Sequence, residues 1–211
     1  MTWPDVAAPN SQGLSTQGFS MGEAPAKAKR GRRRGARAIA VRRATAADGE
    51  AIACLHKRVA GEADSGLVLT RHEAPAAVSV AKRIARADQT GRDLVLVAER
   101  GGRVVGRLVF RGECRARLAH RGSFSIMVER TQRGSGVGTA LIGAMLDWAR
   151  VGGRVKKITL RVLATNTRAR RLYRSLGFVR EGVLRKGVRL SQTRYVDEVV
   201  MSIWLGGSGR D

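Results

Sequence analysis

Two cysteines, three histidines and four prolines are all that a chain of 211 residues contains. Cys54 and Cys114 are too few for a disulfide framework, and they lack metal-ligand spacing, so no resident metal is expected. Two reduced thiols are the ordinary state of a cytosolic protein. No apolar run reaches 18 residues, which excludes a membrane-spanning helix. The first residues lack a charged stretch leading into an apolar one, the pattern of a secretory signal. A cytoplasmic protein is expected. Aromatic residues make up 4% of the chain, too sparse for a base-stacking platform on single strands. Acidic side chains are scarce as well, 17 against 40 Lys and Arg, leaving a net charge of +23. Of those 40, 33 are arginine. In a chain rich in Ala and Gly, codon bias in a GC-rich genome also produces that composition, so charge alone does not establish a nucleic-acid partner.

What is present begins with a hydrophobic fraction of 43%, enough for one sizeable core. Residues 1–37 stand apart. Pro, Ser, Gly and Gln dominate their start, no hydrophobic periodicity appears, and a basic run follows from Lys27 to Arg37. This reads as a disordered tail. It is either an electrostatic arm for RNA, DNA or the ribosome, or a solvated extension, with Met21 an alternative start. Residues 38–205 form the predicted domain, with a disordered end over 206–211. The domain reads β-α-α-β-β-β-α-β-α-β-β. Thr45-Ala-Ala-Asp48 resembles a capping box opening a helix through about Val59. A second helix is expected over 74–87, and two closing strands over 179–188 and 195–204.

The most informative stretch is Ser125-Ile-Met-Val-Glu-Arg-Thr-Gln-Arg133-Gly-Ser-Gly136-Val-Gly138-Thr-Ala-Leu141. It reads as strand, glycine-rich turn and amphipathic helix, whose exposed N–H groups and positive helix end suit a phosphate. Val137, Leu141, Ala144, Met145 and Trp148 form that helix's core stripe. A P-loop needs a Gly-Lys pair after the glycines, and none occurs. A dinucleotide fingerprint needs a third glycine where Thr139 stands and an acid some 20 residues on. No Asp or Glu lies between Asp147 and Glu181. The turn therefore cradles some other phosphate.

A second pattern follows an apolar run at Lys157–Leu163: Asn166-x-x-Ala169-x-x-Leu172-Tyr173-x-x-Leu176-Gly177-Phe178. Asn166 is a good helix N-cap, Ala169, Leu172, Tyr173 and Leu176 share a helix face, and Gly177 suits a left-handed C-terminal position. Arg133-x-x-Gly136-x-Gly138 resembles the pyrophosphate loop of the acyl-CoA-dependent N-acetyltransferases, the GNAT superfamily. The Asn166–Phe178 pattern resembles that superfamily's second motif. Val41–Asp48 is similar to its first strand and helix entry, and Asp93–Phe110 to its central hairpin. Glu181-Gly-Val-Leu-Arg and Tyr195-Val-Asp197-Glu-Val-Val-Met201 are similar to the branch acting on amino acids and small amines, which includes the phosphinothricin-type enzymes.

The resemblance implies an α/β (α+β) fold. A mixed, mostly antiparallel sheet of about seven strands would splay between the fourth and fifth, flanked by about four helices. It implies acetyl-CoA as cosubstrate and a small-molecule primary amine as acceptor, with direct attack in a ternary complex, since neither cysteine lies in a motif. Residues Ile126, Met127, Val128, Arg133, Gly134, Ser135, Gly136, Val137, Gly138, Thr139, Asn166, Ala169, Leu172 and Tyr173 are then expected to hold the cofactor. A backbone N–H near Met127 or Val128 would polarise the thioester, and Tyr173 would protonate the departing thiolate. Arg168, Arg170 and Arg171 are candidates for the adenosine 3′-phosphate.

The acceptor side is less readable. Related chains place Glu five residues before the valine equivalent to Val128, where this chain has Ser123, no base at neutral pH. Glu62, Glu113, His120 and Asp197 are candidate bases. Glu62, Ser123, Tyr195 and Asp197 are candidate acceptor-pocket residues. Two other readings stay open: a protein or ribosomal-protein N-acetyltransferase docked through the tail, and a non-catalytic CoA-binding or nucleic-acid module. A homodimer is common in this branch.

Overall fold

The computed structural model describes residues 38–62, 66 and 71–207. The basic tail, the Met21 alternative and residues 208–211 lie outside the described residues.

β1 (Ile39–Arg43) leads through a 3-10 turn (Ala46–Asp48) into α1 (Gly49–Ala60) and α2 (Ala77–Thr90). β2 (Leu94–Arg100), β3 (Arg103–Gly112) and β4 (Arg121–Val128) follow, then α3 (Val137–Gly152), β5 (Lys157–Leu163) and α4 (Thr167–Ser175). β6 (Val179–Arg189) and β7 (Tyr195–Trp204) close the chain. The element order is the one read from periodicity. α2 starts at Ala77 rather than at 74, because Pro75 disfavours helical backbone at the residue before it and lacks an N–H. It runs on to Thr90, where Gly91 adopts φ 58°.

The seven strands form one sheet in the order β1-β2-β3-β4-β5-β7-β6. Every neighbouring pair is antiparallel except β4–β5. That parallel ladder holds three residue pairs, from Arg121↔Lys157 to Ser123↔Thr159, and then ends. By contrast, β3–β4 and β5–β7 each stay paired through seven residues. The sheet is therefore whole on both sides and parted in the middle. This is the expected α/β (α+β) architecture, with the splay between β4 and β5 and four α-helices among the described residues.

Each face buries its own core. Leu94, Leu96 and Ala98 of β2 join α3, β5 and α4 residues on one face, while Val95 and Val97 join α1 and α2 residues on the other. That is why β2 reads as an unbroken apolar run. α3 buries Val137, Leu141, Met145 and, beside the expected stripe, Ile142, Leu146 and Ala149. Gly106 brings α3 onto β3: a Cβ there would lie 2.8 Å from Val137 Cγ1.

The turn into α1 rests on Asp48. Its carboxylate accepts both Arg42 Nη groups, at 2.8 and 2.7 Å, and the Thr45 N–H at 2.7 Å. Thus the acidic half of the predicted capping box forms. The Arg42 hydrogen bonds, reinforced by Thr45, hold the carboxyl down at about 2. A depressed folded-state value gives stability that is present above the unfolded value, near 4, and lost as pH falls toward 2. We expect Asp48→Asn to lose about 1–2 kcal/mol at pH 7, discounted because Arg42 is half-exposed. Urea melts from pH 7 to 3 should show the gap between parent and variant narrowing below pH 4; a gap that widens in acid rejects the assignment.

Candidate active site

Where β4 and β5 part, a cleft of about 1010 Å³ opens. Phe124–Val128 form one wall and Leu160–Leu163 the other. The backbone of the β4 wall is not spent. In the β3–β4 ladder the Glu129 N–H donates to Val105 and the Glu113 N–H to Arg121. Alternation along an antiparallel ladder then turns Ser123, Ser125 and Met127 toward β3, and Phe124, Ile126 and Val128 toward the cleft. So the Ile126 and Val128 N–H groups face the opening, whereas that of Met127 belongs to β3. Of the two sequence candidates for a carbonyl-polarising N–H, Val128 keeps the geometry and Met127 does not. The Val128 carbonyl is taken, accepting from Arg133 Nε at 3.1 Å.

The glycine turn closes one end of the cleft. A 3-10 turn (Arg130–Gln132) leads to Gly134 at φ 82° and Gly136 at φ 90°, and α3 starts at Val137. Positive φ at Gly136 aims the first N–H groups of α3 into the cleft, and a side chain there would be strained. The loop is tied down from outside: Arg100 Nη1 donates to Gln132 Oε1 at 2.7 Å and to Ser135 Oγ at 3.2 Å. Gly138 serves packing as well as access, because a Cβ there would meet Leu172 Cδ2 of α4 at 3.0 Å. A bare helix start over an unpaired strand edge can receive an anionic group and an extended hydrogen-bonding chain.

The matching family model, described as the acetyltransferase (GNAT) family, covers residues 68–178. The chain belongs to the GNAT acetyltransferases. It is 35% identical over 107 residues to the L-amino acid N-acetyltransferase AaaT of Escherichia coli, spanning 51% of this chain and 65% of that protein. The matched region thus falls short of two thirds of that relative's length. Among solved structures it resembles a GNAT-family acetyltransferase from Streptococcus pneumoniae (TM-score 0.76, 22% identity, 80% of this chain and 100% of that one). It also resembles an acetyltransferase from Salmonella typhimurium solved with its cofactor acetyl-CoA (TM-score 0.71, 22% identity, 82% and 98%).

Within this GNAT cleft the two sequence patterns meet. Ile126, Met127, Val128, Arg133, Gly134, Gly136, Gly138, Thr139, Asn166, Ala169, Leu172 and Tyr173 all line it. Two expected residues do not. Val137 is 1% exposed and packs into the core, and the Ser135 hydroxyl turns back to the Gln132 carbonyl at 2.7 Å. Asn166 caps α4, its Oδ1 accepting the Ala169 N–H at 3.1 Å. At the other end of α4 the Gly177 N–H bonds Arg174 O and the Phe178 N–H bonds Tyr173 O, a Schellman close with Gly177 at φ 90°. β6 begins at Val179, where the closing strand is expected, and Phe178 before it is buried. Tyr173 is wedged between Phe124 and Phe178, at centroid separations of 6.0 Å to each. Burial pushes its phenol up to about 12.

The arginines divide. Arg168 lines the cleft beside Gly134. Arg170 Nη1 instead donates to Ala164 O at 2.9 Å, and Arg171 lies exposed over its own helix. Arg133 is held on two sides, by Val128 O and by an ion pair with Glu62 at 2.6 Å. Hence Glu62 is committed to positioning the loop arginine.

The acceptor-side candidates scatter. His120 sits at the closed end of the β4–β5 ladder, its carbonyl accepting the Lys156 and Lys157 N–H groups and its ring 6.4 Å from Trp204. Tyr195 is exposed on β7. Asp197 accepts the Lys186 N–H at 2.7 Å, fastening a β6 bulge where Lys186 has φ 51°. From that hairpin Leu190 and Arg194 line the cleft instead. Ser123 and Glu113 line a second cavity of about 460 Å³, together with Thr159, Arg161 and Glu198. Leu190 and Arg194 lie outside every motif and Glu198 lies within the Tyr195–Met201 stretch; their place in the β6–β7 pairing brings them to the site.

Gly136→Ala should lower Tm by about 2–8 °C through the cost of positive φ. Gly143→Ala, mid-helix in α3 with nothing near its missing Cβ, should leave Tm level or raise it. Thermal melting of the two single variants decides; equal shifts would contradict the role given to Gly136.

Proposed function

We propose that this GNAT enzyme transfers the acetyl group of acetyl-CoA to the primary amine of a small molecule, an amino acid or close analogue, in a ternary complex. The observation that carries the donor half is the unpaired β4 edge facing a glycine-rich helix start. Acetyl-CoA supplies an activated thioester carbonyl when bound. The N–H groups from Gly134 to Thr139, with the α3 dipole, receive its pyrophosphate. Arg168 is the cation of α4 best placed for a further phosphate. The Val128 or Ile126 N–H polarises the carbonyl. Similarity to an L-amino acid N-acetyltransferase supports the acceptor class. Cys54 and Cys114 are both exposed and line neither cavity, which favours direct attack over a cysteine-bound intermediate.

Tyr173 is the proton donor to the leaving thiolate. With its phenol pushed up to about 12, it stays protonated across the working range. An ordinary thiol titrates near ~8.5, so in water this phenol would be a poor donor to a thiolate. The same burial raises the basicity of a thiolate formed beside it and narrows the gap.

Isothermal titration with acetyl-CoA, followed by thiol release across the twenty L-amino acids, tests the reading. Saturable binding and turnover of at least one amino acid are expected; no binding at millimolar ligand ends it. Tyr173→Phe should lower kcat by about 10²-fold with acetyl-CoA affinity kept within about threefold. An unchanged kcat would remove Tyr173 as the acid.

A further inference from the structure

The reaction requires the acceptor to attack as a free amine, and β4 has Ser123 where a carboxylate would serve. Every other acidic candidate near the site is engaged or solvated. Glu62 pairs with Arg133, Asp197 caps the β6 bulge, Glu181 accepts from Lys157 and Ser202, and Glu113 is exposed. Among the described residues the two buried carboxylates are Asp48, gripped by Arg42, and Glu198.

Glu198 is different in kind. It is 9% exposed and, among the described residues, makes no hydrogen bond or ion pair. A buried carboxylate without a cation is costly, and such a group persists where something compensates it. It lies on β7 opposite Leu163 of β5 and Leu184 of β6. Its Oε2 would stand 3.1 Å from a Cβ at Gly187, so the glycine in the β6 bulge leaves the room it occupies. It opens onto the 460 Å³ cavity that Ser123 also lines. That cavity shares Phe124, Leu160 and Arg161 with the large cleft, so the two spaces abut where β4 and β5 part. The charged groups lining it besides Glu198 are Glu113, Arg121 on β4 and Arg161 on β5, and none is within ion-pair distance of Glu198.

We infer that the small cavity is the ammonium pocket and that Glu198 takes the acceptor's proton, directly or through one water. This rests on the acetyl-transfer reading above. The N–H bond of the ammonium breaks as an O–H bond forms on Glu198. The freed lone pair forms the C–N bond and the C–S bond breaks, the thiolate leaving with the Tyr173 proton. The second proton on nitrogen restores Tyr173, and Glu198 returns its proton to solvent, so one proton is released per turnover. The incoming ammonium is the cation that Glu198 lacks among the described residues.

The test is Glu198→Gln, isosteric and relieved of a buried charge. Both proteins are titrated with acetyl-CoA by calorimetry and assayed from pH 6 to 10 with the fastest L-amino acid of the panel. Acetyl-CoA affinity should agree within about threefold, while kcat/KM at pH 7 falls about 10²-fold. The deficit should close toward pH 10, where solvent deprotonates the amine. Independently of turnover, the carboxyl ¹³C signal of Glu198, identified by its absence from the variant, should shift when the amino acid is added without acetyl-CoA. A deficit under about threefold, one constant with pH, or an unmoved signal overturns the role of Glu198 and leaves acetyl transfer standing. Loss at Glu113→Gln but not at Glu198→Gln overturns it in favour of Glu113. Wild-type protein that binds no acetyl-CoA overturns both readings.

Discussion

The site depends on a conflict over hydrogen bonds at the middle of the sheet. β4 is committed to β3 through seven pairs and β5 to β7 through seven, while the parallel contact between them holds only three. Parallel pairing is the weaker kind per residue, so the sheet parts there as its outer halves go separate ways. Buried backbone groups need partners. One is supplied internally, Arg133 reaching back to the Val128 carbonyl, and its charge is then balanced by Glu62. The Ile126 and Val128 N–H groups are left for water or an extended ligand. A hydrophobic wedge of Phe124, Tyr173 and Phe178 packs beside the seam, so the opening is built into the core.

This arrangement explains what the residues alone disclosed. The donor half is made of backbone, and backbone geometry leaves durable marks: glycines where φ is positive, an asparagine at a cap, an apolar stripe at helical spacing. Arg133, Gly136 and Gly138 of one pattern and Asn166, Ala169, Leu172 and Tyr173 of the other therefore line one cleft. The limits were also physical. Which N–H of Met127 or Val128 faces the cleft depends on the parity of a ladder with β3, and a one-residue difference reverses it. Likewise Val137 sits between two lining glycines yet points into the core, because helical spacing turns it toward Gly106. The late start of α2 follows from Pro75, which periodicity alone does not register.

Charge was the less reliable guide. A basic chain of this kind places many arginines on its surface, but one lies inside. Arg107 is 6% exposed on β3, with Nη1 2.6 Å from His56 Nε2 and Nη2 3.4 Å from Ser125 Oγ. Burial first, then Arg83 and Arg111, lowers its guanidinium to about 10. Burial and the same arginine hold His56 neutral, with its value near 4. A neutral imidazole can accept from a cation where a charged one could not, so these two groups coexist without an acid. Their side chains stand behind Ser125, in the wall of the cleft rather than within it. Among the described residues, Arg107 and Glu198 are thus a buried cation and a buried anion, on strands separated by the parting and neither in an ion pair, whereas the buried Asp48 is paired with Arg42.

That separation bears on why the acceptor half resists reading from a pattern. On the acetyl-transfer reading a thioester arm follows the β4 edge, so its binding residues fall in order along β4 and α3. A proton needs only a carboxylate at one point in space. Once β4 and β5 diverge, that point is bounded by β4, β5 and β7 alike, and any of the three can project a side chain toward it. Ser123 on β4 and Glu198 on β7 line one cavity although 75 positions separate them in sequence. Moving the carboxylate from one wall to the other changes no glycine, cap or stripe. The change leaves the glycine turn and the Asn166 cap as they are, and shows as a buried carboxylate with no partner among the described residues.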